Sequence, residues 1–235
     1  MFRSGIALTD MVDRGKVLTL DELRSKESDN TDSFIFRPAK TIEEAESFAR
    51  NTYGMESNKS NLNLEALNEV NRSIYELQKE FGSIKVPMLY DIPASNIYAE
   101  AAPWGMGFNQ SMLNQPALLK ELLDKDMATR FHPAGCNSIK SIVDHEIAHV
   151  LTLNDISFGL EKATELTEKA GNIMARYTKS IDIDDLDRTL ISRYAVEELA
   201  EFLAECFTMA RNGTVSNKYA NEIYDLMKER YGVKP

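Results

Sequence analysis

The sequence is poor in cysteine and in long apolar runs, and each shortage excludes a class of protein. Its two cysteines, Cys136 and Cys206, are far apart and form no C-x-x-C motif. They predict free, partly buried thiols in a reducing compartment rather than a disulfide framework. No stretch approaches the roughly twenty apolar residues of a membrane span, and residues 1–15 lack the apolar core of a signal peptide. We therefore expect a protein of the cytoplasm.

Basic residues are also outnumbered. The chain has 27 Lys and Arg against 37 Asp and Glu, a formal net charge of −10. A surface of this sign repels phosphate backbones and anionic lipid headgroups, so we expect neither nucleic acid nor membrane as a partner. Hydrophobic residues make up 43% of the 235 positions, which is enough for the core of one large domain with appendages.

Composition divides the chain into an arm and two lobes. Residues 1–32 include the polar run SKESDNTDS and predict a flexible N-terminal arm, whereas residues 33–235 predict one folded domain. In that domain, residues 33–137 mix strand and helix patterns, and residues 138–235 are helical throughout. This order predicts an α+β fold with a small mixed-sheet lobe followed by a helical lobe.

Start and stop signals locate the main elements. Thr41 and Glu44 form a capping-box pattern that opens a helix to about Tyr53, and Gly54 follows as its C-terminal stop. Other predicted elements are a strand at Ser33–Arg37, two or three strands within 84–113, a loop at 130–137, and helices at about 64–81, 116–128, 138–153, 160–177, 183–191, 196–211 and 217–231. The last strand, at about 105–113, is predicted at the sheet edge, where it is either a platform for substrate main chain or an ordinary strand.

The segment Asp144-His-Glu-Ile-Ala-His149 contains the pattern H-E-x-x-H on a predicted helix. Residues four apart share a helix face, so His145 and His149 project together and can bind one metal ion. Glu146 is then placed to act as a base on a water at that metal. With only three histidines in the chain, chance gives this pattern in roughly one percent of cases, so a metal site is favoured over coincidence.

A catalytic zinc needs a third protein ligand, and the chain offers two candidates. His132 stands in a loop with proline and glycine, which is more typical of an ordinary loop residue than of a ligand. The helix around residues 199–210 is apolar on nearly all sides, hence buried, and carries Glu201 and Glu205 one turn apart. A lone buried carboxylate costs several kcal/mol. We therefore expect one to bind the metal and the other to orient a ligand histidine.

Tyr194, followed seven residues later by Glu201-Phe-Leu-Ala-Glu205, resembles the active site of anthrax-lethal-factor-like metallopeptidases. The resemblance covers about residues 105–209 and is specific at this motif and at H-E-x-x-H. Leu203 stands where phenylalanine is common, and residues 195–200 lack the usual asparagine, but neither departure touches a proposed ligand.

This resemblance implies a zincin-like fold with the active-site helix between the two lobes, and it implies a Zn²⁺ cofactor. The roles that it implies are His145, His149 and Glu201 as zinc ligands, Glu205 as the supporting acid behind the site, and Tyr194 as the hydroxyl that assists at the scissile carbonyl. Glu146 keeps the role of general base that the H-E-x-x-H pattern gives it.

A looser resemblance lies upstream. The segment FIFRPAKTIEEAESFARNTYG, then RFHPAG and the H-E-x-x-H helix, is similar to C-terminal regions of bacteriophage minor head and head-morphogenesis proteins. It implies a phage or prophage origin, a location in the host cytoplasm or the virion, and phage capsid or portal proteins as partners of the arm at residues 1–32.

The patterns together predict a zinc-dependent endopeptidase that acts on a protein or peptide substrate. The alternative is a structural or assembly protein of the virion that retains a zinc site without essential proteolysis. A toxin-like effector would need a delivery element, and none is visible in the sequence. The presence of Glu146 and Tyr194 beside three ligands favours the enzyme, because a purely structural zinc site has no need of a base.

Overall fold

The fold is described from a computed structural model that defines residues 36–93, 96–157 and 160–234. The chain divides into two units, residues 1–37 and 38–235, and the helices and strands of the described residues belong to the second. It is mixed α+β, as the sequence predicts. The predicted arm at 1–32, and all but the last two residues of the strand predicted at Ser33–Arg37, lie outside the described residues; those last two form no strand.

The second unit combines helices with a small sheet. Its helices are α1 (Ile42–Tyr53), α2 (Leu64–Phe81), α3 (Gln110–Leu113), α4 (Pro116–Ala128), α5 (Ile139–Thr152), α6 (Glu165–Ser180), α7 (Leu186–Thr189), α8 (Leu199–Asn212) and α9 (Lys218–Tyr231). Its strands are β1 (Ser57–Lys59), β2 (Met88–Asp91), β3 (Ala99–Ala102), β4 (Gly105–Phe108), β5 (Ile156–Ser157) and β6 (Leu160–Glu161). Within the described ranges, no helix is both long and apolar enough to cross a bilayer.

Local signals fix the ends of α1 much as predicted. The hydroxyl of Thr41 accepts a hydrogen bond from the N–H of Glu44 at 3.2 Å. The Glu44 carboxylate accepts from the N–H of Lys40 at 2.7 Å, so only half of the predicted capping box forms. Gly54 ends the helix with φ of 71°, a left-handed conformation that glycine adopts at little cost.

The sheet has the order β1-β2-β4-β3, in which β1, β2 and β4 run parallel and β3 is antiparallel to β4. The prediction of an edge strand at about 105–113 is therefore wrong. All four residues of β4 are buried, which is typical of a central strand, and the residues after it form the helical turn α3. A Cβ on Gly105 would lie 2.0 Å from the carbonyl oxygen of Met88, so only glycine lets β4 approach β2 here. The strand at this edge of the sheet, next to β4, is β3.

Three helices of the helical lobe differ from their predictions. The helix predicted from 160 begins at Glu165, because residues 160–161 pair with β5 as a short antiparallel ribbon. The helix predicted at 183–191 is a 3₁₀ turn, Ile183–Asp185, followed by the single turn α7. The helix predicted from 196 begins at Leu199, since Tyr194–Val196 form a separate 3₁₀ turn.

A buried charge network fixes α5 against its neighbours α2 and α8. Asp144 is fully buried and lies 2.5 Å from Nζ of Lys140 on its own helix. It accepts hydrogen bonds from Nε of Arg211 at 3.1 Å and from the Asn212 amide at 2.7 Å, both on α8. Ser73 of α2 donates to its other oxygen at 3.1 Å. A carboxylate satisfied from three helices holds them in register, so α5 and α8 present their residues to each other in a defined way.

Candidate metal centre

The three predicted ligands meet between α5 and α8. His145 and His149 lie one turn apart on α5, and Glu201 lies in the first turn of α8. The two Nε2 atoms are 3.1 Å apart, and Oε2 of Glu201 lies 3.2 Å from Nε2 of His145 and 3.6 Å from Nε2 of His149. This group can hold a metal ion.

The spacing of these atoms fits a small tetrahedral ion. Bonds of about 2.0–2.2 Å in tetrahedral geometry place ligand atoms about 3.3–3.6 Å apart. The observed separations of 3.1, 3.2 and 3.6 Å come within about 0.2 Å of that range. Oε2 of Glu201 is also buried, and although the Nε2 atoms of both histidines lie within 3.6 Å, it forms no well-directed hydrogen bond with a described residue. A buried carboxylate oxygen without such a bond is costly, and a cation at the centre of the triangle would remove that cost.

The charged groups of the site favour a positive charge at the centre of this triangle. Burial lowers the pKa of His145, but the carboxylates of Glu201 and Glu205 outweigh it and hold the pKa well above its usual value. Burial raises the pKa of Glu201, and the two histidines outweigh it and hold that pKa well below its usual range. Protons and metal ions therefore compete for this position.

Glu205 lies behind the ligands, one turn after Glu201 on α8. Its side chain is 1% exposed, and its Oε1 lies 2.9 Å from Nδ1 of His145. Burial raises its pKa, but hydrogen bonds from His132 and His145 lower it to about 2, so the carboxylate is ionised at neutral pH. An ionised carboxylate only accepts hydrogen bonds. The proton of a neutral His145 is therefore on Nδ1, and the lone pair of Nε2 faces Glu201 and His149.

Glu146 is buried and lines the same cleft as the ligand histidines. Burial raises its pKa above the usual value, although the two histidines act in the opposite direction. A carboxylate with a raised pKa binds a proton more tightly than an exposed one. It is therefore suited to take a proton from water and release it later.

Tyr194 stands in the 3₁₀ turn that precedes α8, and its ring covers His145. The two rings are stacked at 6.1 Å with an interplanar angle of 12°, and Phe131 stacks on the tyrosine at 5.2 Å. Burial, reinforced by the charge of Glu201, raises the pKa of Tyr194. The phenol thus remains a hydrogen-bond donor at neutral pH.

His132, the less favoured candidate for third ligand, is placed outside the metal group. Its Nδ1 lies 3.4 Å from Oε1 of Glu205, the same oxygen that faces His145. Sequence reasoning did not connect His132 with Glu205, because the two residues are 73 positions apart and no local pattern links them.

A cleft of about 800 Å³ passes over the metal group. Its walls come from β3 with the preceding residues Ile97 and Tyr98, from α5, from the loop after α4 and from the start of α8. The contribution of β3 was missed at the sequence level, since a four-residue strand rich in alanine carries little signal.

Comparison of the chain with protein-family models, with curated proteins and with solved structures found no match. The site is therefore interpreted from its own geometry.

Proposed function

We propose that the chain is a zinc-dependent endopeptidase with a zincin-like fold. The observation that carries the proposal is the triangle of His145, His149 and Glu201, with a buried carboxylate, Glu146, beside it in an open cleft. The likeness of both sequence motifs to lethal-factor-like metallopeptidases supports the same function.

Zinc suits the donor set. Two imidazole nitrogens and one carboxylate oxygen are a usual catalytic set for Zn²⁺, which leaves its fourth position for water or substrate. When bound, zinc acts as a Lewis acid that lowers the pKa of water and polarises a carbonyl group. Glu205 supports the set from behind, because its hydrogen bond to Nδ1 orients the ring of His145.

Two side chains of the cleft would carry the proton and charge movements of peptide hydrolysis. Glu146 takes a proton from the attacking water and later delivers it to the nitrogen of the leaving amine. Tyr194 donates a hydrogen bond from its hydroxyl to the substrate carbonyl oxygen as that oxygen gains negative charge. Its stacking on His145 places the phenol on the wall of the cleft nearest the metal group.

The open edge of the sheet supplies a place for an extended substrate. Among the residues that the structure describes, β3 pairs with β4 on one side only, and it lines the cleft and packs along α5. A peptide that adds to β3 as a further strand would lie across the metal group. We therefore assign to Ala99–Ala102 the substrate role that was one of two alternatives for the strand predicted near residues 107–113.

The second candidate is a structural or assembly protein of a phage virion that retains the metal site. The upstream likeness to phage minor head and head-morphogenesis proteins favours it. The two candidates differ in Glu146, because a structural metal site needs ligands but no base.

A peptide-library cleavage assay separates the two candidates. The zinc-loaded protein is expected to cleave a subset of peptides, and Glu146→Gln is expected to bind zinc equally while losing cleavage. A wild-type protein that binds zinc but cleaves no peptide would contradict the enzymatic proposal and leave the structural one.

A further inference from the structure

We propose that His132 binds the main chain of the substrate: its Nε2 accepts a hydrogen bond from a peptide N–H in the cleft, while Glu205 holds its Nδ1. The inference rests on the proposed peptidase function and adds a residue that neither sequence motif includes.

The shared carboxylate determines which nitrogen of each ring is free. Oε1 of Glu205 lies 2.9 Å from Nδ1 of His145 and 3.4 Å from Nδ1 of His132. A carboxylate oxygen accepts hydrogen bonds, so an imidazole that faces it through Nδ1 carries its hydrogen on that nitrogen. Each ring therefore presents a lone pair at Nε2. For His145 this lone pair faces the other ligands of the metal group, and His132 has no place in that group.

The loop that carries His132 is held at both ends by the segments that flank α8. The N–H of Arg193, next to Tyr194, donates to the carbonyl of Arg130 at 2.7 Å. After α8, the N–H of Thr214 donates to the carbonyl of Ala134 at 3.1 Å. Gly135, at φ of 90°, lies so close to this segment that a Cβ would be 2.7 Å from the nitrogen of Thr214. Because this loop is already fixed, the His132 imidazole loses little conformational entropy when a substrate binds.

Aromatic rings enclose the imidazole and leave it open towards the cleft. Its ring centroid is 5.0 Å from that of Phe131, 6.1 Å from that of Tyr98 and 6.5 Å from that of Tyr194. The side chain is 17% exposed and lines the cleft. Tyr98 immediately precedes β3, so a peptide added to β3 would run past this ring. A main-chain N–H is the donor that every such peptide carries, whatever its side chains.

The test changes both partners of the proposed hydrogen bond, the acceptor on the protein and the N–H donor on the ligand. A peptidyl hydroxamate and a series of analogues, each with one N–H replaced by an ester oxygen, are titrated against the zinc-loaded wild type, His132→Phe and His132→Gln. Phenylalanine keeps an aromatic ring but removes the acceptor, whereas glutamine supplies an amide oxygen. Zinc affinity and thermal unfolding of each variant are measured alongside.

We expect His132→Phe to bind zinc within about threefold of wild type and to bind the parent hydroxamate about tenfold more weakly, the usual scale for one hydrogen bond. One ester analogue should lose about the same factor with wild type and nothing further with His132→Phe. His132→Gln should recover part of the loss. These results together would support the inference.

Three outcomes would overturn the inference. In the first, His132→Phe weakens every analogue by the same factor. In the second, no analogue discriminates between wild type and variant. In the third, zinc affinity falls as far as hydroxamate affinity, which would make His132 a support of the metal group alone. If the proposed peptidase function itself is wrong, the result differs from all three. The wild type would then bind no hydroxamate and cleave no library peptide.

Discussion

Replacing Glu201 by glutamine removes one negative charge at nearly constant volume, and its effect on zinc affinity can be worked out from the structure. Oε2 of this carboxylate lies within 3.2–3.6 Å of the Nε2 atoms of both histidines. Breaking a partly buried charge contact of this kind costs about 3–5 kcal/mol. At about 1.4 kcal/mol per factor of ten, Glu201→Gln should weaken zinc binding by about 10² to 4 × 10³-fold.

Two matched substitutions provide a comparison for the loss of zinc affinity expected in Glu201→Gln. Glu205→Gln changes a carboxylate that orients His145 but is not itself one of the proposed ligands, and substitutions at such supporting positions typically cost about 10–100-fold in metal affinity. His132→Ala removes a side chain outside the metal group and should change zinc affinity by less than about threefold, because Glu205 keeps its contact with His145.

The assay is a competition titration of metal-stripped protein with Zn²⁺ and a chromophoric chelator, with circular dichroism to verify folding of each variant. The expected order of losses is Glu201→Gln, then Glu205→Gln, then His132→Ala. Equal zinc affinity of Glu201→Gln and His132→Ala would refute the assignment of the third ligand.

The remaining predictions concern chemistry, pH and stability. Glu146→Gln should retain zinc and lose about 10² to 10⁴-fold in kcat, and peptide cleavage at the wild-type rate would exclude it as the base. Tyr194→Phe should retain zinc and lower kcat about 10 to 10³-fold with little change in KM; a loss confined to KM would argue against transition-state binding. Because neighbouring carboxylates raise the pKa of His145, a proton must leave before zinc binds, so zinc affinity should rise with pH through and above neutrality. A flat profile between pH 6 and 8 would contradict this. Asp144→Ala removes one of the two carboxylates paired with the buried Arg211, the other being Glu80, and should lower the free energy of unfolding by about 3–5 kcal/mol in urea titrations. Lys120→Ala breaks an exposed pair and should cost less than about 1 kcal/mol.

Much of the site could be predicted from sequence because its signals are local. The spacing of His145 and His149 gives their common face on any helix, and the apolar surroundings of Glu201 and Glu205 make a buried carboxylate pair conspicuous. The capping residues of α1 and the apolar stripe of α2 act within one or two turns, so their bounds were predicted closely.

The order of the strands could not be predicted in the same way. β1 has three residues and β3 has four, too few to show a period, and the place of β4 depends on two strands that lie before it in the chain. The contact of His132 with Glu205 likewise depends on how the loop after α4 meets α8. Such long-range contacts follow from packing of whole elements, which no short sequence window contains.

X-ray absorption at the zinc edge, measured on the zinc-loaded wild type, tests most directly which atoms hold the ion. We expect a shell of nitrogen and oxygen at about 2.0–2.1 Å, with imidazole scattering from two histidines and no sulfur at about 2.3 Å. Loss of part of that shell in His149→Ala would agree with this expectation. A sulfur shell from Cys136 or Cys206, or a spectrum unchanged in His149→Ala, would contradict it.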